Sequence, residues 1–290
     1  MNVAIVTDTT AYLPSSVVSE RGIRVVPLHV VVAGREFSEG VDITTAEVAN
    51  ALRDYRPVST SRPTPHAFLQ AYEEAAAAGA TAIVSVHISG EMSSTVQSAQ
   101  LAASESPVPV TVVDSRSLGM AMGYAVLSAA DAAAAGADAE TVAAQALARA
   151  QASTVVFYVD TLEHLRRGGR IGAASAFLGS ALAIKPILAL SDGRIRALEK
   201  VRTSGRALAR LEELALTAAR RERPGCDGPD IAVHHLDSAT RAEELAERLR
   251  ARDVAREVRV VELGAVVGAH VGPGTIAVAV SPRPGEPDAG

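Results

Sequence analysis

The chain has 290 residues, 21% of them charged, and a net charge of −5, so composition gives no support for a general nucleic-acid or anionic-membrane surface. Its length suits two ordinary domains. One cysteine, Cys226, leaves no disulfide framework and no cysteine-based zinc site to build, as expected of an intracellular protein.

The N-terminus, "MNVAIVTDTT", reads as a strand from the start and not as a secretion signal. The longest uncharged apolar run, "AFLGSALAI", stops at Lys185 and Pro186, well short of the roughly 20 residues a bilayer needs. No stable membrane insertion and a cytoplasmic location are therefore expected. Strands are predicted at Val3 to Thr7, Ile23 to Val32, Ala80 to Ile88 and Val108 to Asp114, with helices in the gaps. Thr44 with Glu47 three residues on is a capping-box signature. Thr64, Pro65 and Gly79 mark an N-cap, a first helical residue and a stop.

After "STVVFYVDT" the texture changes. A Gly- and Arg-containing loop leads to an apolar segment, then to a hairpin turning at Ser191 to Gly193. Two helices and three strands complete this second part, and the tail "SPRPGEPDAG" is expected to fray. The fold class is α/β in two domains. Residues 1–155 form a mainly parallel sheet flanked by helices, residues 156–282 an α/β domain with a mixed sheet, and 283–290 a flexible tail.

Several templates fail. No P-loop is present, and "GPGTIA" precedes a strand where a dinucleotide fingerprint requires a helix. The seven histidines contain no H-x-x-x-H pair, and His234 and His235 alternate across a strand. No metal or cofactor is expected.

What remains is hydroxyl-rich strand ends. "VTDTTAYLP" carries Asp8, Thr9 and Thr10. "PVSTSRPTP" carries Ser59, Thr60, Ser61 and Thr64 in a loop stiffened by prolines. "SVHISGEMSSTVQS" carries Ser89, Ser93, Ser94 and Thr95. Ser93, Ser94 and Thr95 suit a helix cap, but three such junctions in one sheet also suit a small-ligand pocket for an oxyanion or carboxylate. Between His164 and Arg210, ten Lys and Arg against two acidic residues give a local charge of +8, leaving −13 elsewhere. That block reads either as a solvated face or as a docking surface for an acidic or phosphate-bearing partner.

Taken together, "VTDTTAYLP", "TSRPTP", "SVHISGEMSSTVQSA", "VVDSRSLGMAMG", "VDTLEHLRRGGRIG", "LGSALAIKPIL", "KVRTSGRAL" and "GAHVGPG" resemble the DegV family of bacterial fatty-acid-binding proteins over essentially the whole chain. The resemblance implies a buried tunnel for one long-chain fatty acid such as palmitate, and no catalysis by the chain itself. It also implies a fatty acid kinase subunit as partner, which phosphorylates the presented carboxylate to an acyl phosphate. It places the carboxylate on Thr60 and Ser93 with His270 in support, and Asp8, Ser61, Ser94 and Gly272 in the surrounding loops. Arg170, with Arg202, falls on the partner or phosphoryl-transfer face. Arg62 stands where the family often has Gln, Glu91 replaces the loop glycine, and Ser94 the glycine after the binding serine. A carboxylate at Glu91 would repel the head group unless turned to solvent.

A tail of roughly 14 methylenes offers about 11 kcal/mol of gross burial energy, so the hydroxyls serve orientation. Apolar tunnel residues look like core residues; Met120, Met122, Phe157, Phe177, Leu178 and Ile184 are read as ordinary packing. The alternative is a serine hydrolase with Ser93 as nucleophile, His270 as base and Asp8 as orienting acid. It lacks the G-x-S-x-G elbow, because Gly90 lies three residues before Ser93.

Overall fold

The computed structural model describes residues 2–177, 184–221 and 228–283. Leu178, Cys226 and the expected tail after Arg283 lie outside these. The first half alternates strands and helices: β1 (Val3–Asp8), α1 (Ser15–Glu20), β2 (Arg24–Val26), β3 (His29–Val32), β4 (Arg35–Ser38), α2 (Thr45–Arg53), β5 (Val58–Ser61), α3 (Pro65–Ala77), β6 (Ala82–His87), α4 (Thr95–Ala103) and β7 (Val110–Asp114). Two long helices follow, α5 (Gly119–Ala134) and α6 (Ala139–Ala152). The second half runs β8 (Thr154–Tyr158), α7 (Glu163–Arg167), β9 (Lys185–Ser191), β10 (Arg194–Val201), α8 (Ser204–Ala219), β11 (Pro229–His235), α9 (Ala239–Arg250), β12 (Glu257–Glu262), α10 (Ala265–Val271) and β13 (Ile276–Pro282).

The strands form a parallel four-stranded sheet, β2-β1-β6-β7, a mixed six-stranded sheet, β10-β9-β8-β13-β11-β12, and a small antiparallel sheet, β4-β3-β5. This is the α/β architecture that the strand and helix pattern predicts. The first sheet is sandwiched: Val6, Ile83, Phe68 and Tyr72 pack on its α3 and α4 side, and Ile5, Val84, Met122 and Val126 on its α5 and α6 side. Helix α5 also packs on the second sheet, where Met120 and Tyr124 meet Val155, Ala232 and Ala279. Leu211, Leu216, Leu245 and Leu249 of α8 and α9 cover that sheet's far face. The α5 and α6 layer thus joins the two sheets. A buried ion pair ties it down, with Arg149 of α6 donating to Asp230 of β11.

Two local expectations are corrected. The single strand expected from Ile23 to Val32 is two, because Pro27 supplies no ladder N–H; β2 belongs to the parallel sheet and β3 to the small one. The "PVSTSRPTP" loop contains β5, which pairs with β3 through Thr60 opposite Val30. The Gly-rich "GAHVG" segment is helical, as the end of α10. The capping box forms as expected: Glu47 N–H donates to Thr44 Oγ1 at 3.2 Å and Thr44 N–H to Glu47 Oε2 at 2.8 Å. Asp192 (φ +52°) and Gly193 (φ +77°) make the two-residue turn of the β9–β10 hairpin.

Candidate functional site

The carboxyl end of the first sheet, the small sheet and α10 converge on a cavity of about 70 Å³. Strand β5 brings Thr60 to it, the loop after β6 brings Ser93, and α10 brings His270. Thr60 Oγ1 and His270 Nε2 are 2.8 Å apart, across 210 positions of sequence. Burial, reinforced by the nearby Arg170 guanidinium, lowers the His270 pKa to about 4, so the imidazole is neutral at pH 7. Its Nδ1 is buried against Gly168, where any Cβ would run into the ring. Ser93 Oγ lies 2.8 Å from Thr95 Oγ1 at the start of α4. Ser94 is the N-cap residue of that helix, yet its side chain makes no capping bond.

Arg170 is exposed at the cavity's edge, donating from Nε to the Met92 carbonyl at 3.1 Å and from Nη1 to the Gly168 carbonyl at 2.6 Å. Among the described residues Arg62 is the other cation on the wall, and no carboxylate lines it. Ser61 also lines the cavity, its hydroxyl donating to Glu36 at 3.1 Å. Gly272 ends α10 and is buried. Arg202 is exposed just past β10 and is not among the residues lining this cavity. Much of the basic block is neutralised within the chain. Arg166 and Arg167 pair with Glu163, Lys185 with Asp160, and Arg210 with Glu199 and Glu213.

Asp8 does not line the cavity of Thr60, Ser93 and His270. It accepts from Thr10 N–H, His87 Nδ1 and Ile88 N–H, each at 3.0 Å, and so locks the ends of β1 and β6 together. His87 continues to Ser85 Oγ at 2.6 Å, which accepts from the Tyr72 hydroxyl at 3.0 Å. This chain has the order of a catalytic triad, but Ser85 is fully enclosed. Ser93, His270 and Asp8 form no such chain, each being bonded elsewhere.

A second cavity of about 50 Å³ shares Met92, Leu118, Ile195, Val267 and Val271 with the first and carries no charged residue among the described residues. It runs between the sheets, past Phe157, Leu190, Ala277 and Ala279. Its polar residues each make at least one bond, although His234 Nδ1 is buried without a hydrogen-bond partner among the described residues. His234 Nε2 accepts from Met120 N–H at 3.1 Å, and Thr275 Oγ1 donates to the Gly272 carbonyl at 2.8 Å. Phe157 therefore lines the channel, whereas Met120 and Met122 are core as read, and Phe177 stacks under Lys200. The Glu91 carboxylate accepts from Arg194 Nε at 2.8 Å and is absent from the wall of the first cavity.

The DegV family model, described as "Uncharacterised protein, DegV family", matches residues 2–283. The chain belongs to the DegV family. It is 51% identical over 283 residues to a DegV domain-containing protein of Streptomyces coelicolor, covering 97% of this chain and 99% of that one. Among solved structures it resembles a fatty-acid-binding DegV family protein of Thermus thermophilus, with 35% identity, a TM-score of 0.91, and coverage of 97% and 100%. It also resembles DegV of Bacillus subtilis, a fatty acid binding protein, with 30% identity, a TM-score of 0.87, and coverage of 98% and 100%. The family match thus spans all three sheets.

Sequence reasoning missed the helix that carries His270, and with it Glu39. This buried carboxylate accepts from Val266 N–H at 2.8 Å at the start of α10. A helix of seven residues flanked by Gly264 and Gly272 leaves little periodicity to find.

Proposed function

We propose that this protein binds one long-chain fatty acid, with the carboxylate held by Thr60 and Ser93, His270 in support, and the acyl chain between the sheets. One observation carries the reading. A cavity edged by hydroxyls and two arginines, with no carboxylate on its wall among the described residues, adjoins an apolar cavity without charged residues and shares five wall residues with it. An anionic head and a hydrocarbon tail match those two halves in order. The fatty-acid-binding relatives at 35% and 30% identity support it. In this reading residues 1–155 supply the carboxylate-binding loops apart from α10, and residues 156–282 complete the channel. The role is that of a carrier without catalysis of its own.

Arg170 extends the proposal to a partner. Among the described residues its guanidinium hydrogen-bonds only to carbonyls, so its positive charge stands at the cavity mouth for an acidic or phosphoryl-bearing group. A kinase subunit that phosphorylates the presented carboxylate fits that position. No helix among the described residues is long and apolar enough to cross a membrane, and we place the carrier in the cytoplasm.

Native mass spectrometry of protein purified from bacteria tests the binding, with a retained C16 or C18 fatty acid as the expected mass. Turnover of a chromogenic ester abolished by Ser93→Ala would favour a hydrolase instead. Arg170→Ala is expected to keep the fatty acid and lose acyl-phosphate formation with the kinase; loss of the lipid would show that Arg170 has been misassigned.

A further inference from the structure

Met92 and Ile195 line the head-group cavity, the apolar channel and a third hollow of about 310 Å³, which also touches Glu91, Arg170, Arg194 and Arg196. Met92 comes from the loop after β6, Ile195 from the β9–β10 hairpin, so the walls between the hollow and the channel belong to different sheets. The residue before each is one half of an ion pair, Glu91 with Arg194. Two further bonds hold the hairpin turn to the first sheet's loops. Ser89 Oγ donates to the Gly193 carbonyl at 2.8 Å, and Arg116 Nη2 donates to the Asp192 carbonyl at 2.9 Å. Gly193 has φ +77°, and a Cβ there would collide with Ser89 Oγ, so only glycine lets the turn sit this close.

The hairpin is also placed to move. Among the described residues β10 is the outer strand of its sheet, paired only with β9. Cavities of about 70 and 50 Å³ are well below the roughly 300 Å³ at the lower end of ligand pockets, so an acyl chain must push wall residues apart. Met92, unbranched and adaptable, suits such a wall.

We propose that Met92 and Ile195 form a gate between the 310 Å³ hollow and the fatty-acid channel, and that the Glu91–Arg194 pair with the hairpin-turn bonds is its latch. The inference rests on the fatty-acid reading above. The latch holds the hairpin whether or not the channel is loaded. Weakening it therefore speeds entry and release together and leaves affinity nearly unchanged. Because Arg194 and Glu91 side chains are 63% and 37% exposed, removing the pair is worth only about a two- to fivefold change in rate, and reversing one charge about tenfold.

The test is exchange of bound palmitate for perdeuterated palmitate on the full chain, followed by native mass spectrometry. Glu91→Arg and Arg194→Glu should each exchange about tenfold faster at unchanged equilibrium occupancy, and the doubly swapped chain within about twofold of wild type. Equal rates in all four proteins, or a swapped chain as fast as the singles, overturns the latch. If a single variant does not fold, wild-type exchange in rising salt decides: acceleration supports the latch, and a flat response overturns it. Wild-type protein that holds no fatty acid overturns the underlying reading instead.

Discussion

Ala279→Leu should shorten the channel without touching its polar end. β13 alternates: Ile276, Val278 and Val280 pack outward beneath α8, while Ala277 and Ala279 face the channel. Ala279 pairs with Val155, which pairs in turn with Leu190, and these three line only the part of the channel not shared with the head-group cavity. Leucine adds three carbons to a cavity of about 50 Å³. A long acyl chain then loses burial of about three methylenes, near 0.8 kcal/mol each, or about 2.4 kcal/mol and roughly 50-fold in Kd. A chain too short to reach Ala279 loses nothing. Overpacking costs the fold about 1–3 kcal/mol. Calorimetric titration with C8 to C18 fatty acids measures the effect, with a denaturation curve to verify folding. The long-to-short affinity ratio should collapse; a folded variant in which it is unchanged refutes the placement of the tail.

Thr60→Ala and Ser93→Ala should each weaken carboxylate binding by about 1–3 kcal/mol by leaving an ionised head group underpaired, and unchanged titrations in both would remove them from the site. Burial holds the His234 pKa at about 4, against an ordinary 6.5, so the unfolded chain binds the extra proton first as pH falls. The stability tied to neutral His234 is therefore whole above pH 6.5 and lost between 6.5 and 4, about 3 kcal/mol in all. His234→Gln, which can still accept from Met120 N–H, should flatten that part of the pH–stability profile; an unaltered slope would disprove the assignment. Asp230→Asn leaves Arg149, 1% exposed, without its carboxylate and should cost about 3–5 kcal/mol in urea denaturation, a loss below 1 kcal/mol being incompatible with the buried pair.

Local signals in the sequence held where one element decides the outcome. Alternating apolar runs located the central strands, Thr44 and Thr64 located helix starts, and the Asp192–Gly193 turn located the hairpin. Pro27 could have divided β2 from β3, since a missing N–H cannot serve an interior ladder, but an unbroken apolar run on both sides masks it. The channel was not legible for a different reason. Met92, Leu118, Ile195, Val267 and Val271 come from separate segments, and an apolar side chain facing a cavity has the same composition as one facing a neighbour. Nor does any spacing announce that Arg149 and Asp230, 81 positions apart, form one buried pair.

The three hydroxyl-rich junctions divide their labour. Those at Thr60 and Ser93 line the cavity, while Asp8 and Thr10 fasten the strand end from which Ile88 enters its wall. Glu91 and Glu39, two acidic residues near the site, are both bonded within the protein. Glu91 faces Arg194, and Glu39, its pKa raised by burial, accepts from Val266 N–H at the start of α10. That second contact reaches further than charge neutralisation. One turn on from Val266 in the same helix is His270, whose Nε2 meets Thr60. Glu39, which does not line the cavity of Thr60 and Ser93, thus anchors one end of the helix whose other end carries His270, and through that helix it bears on the proposed head-group geometry.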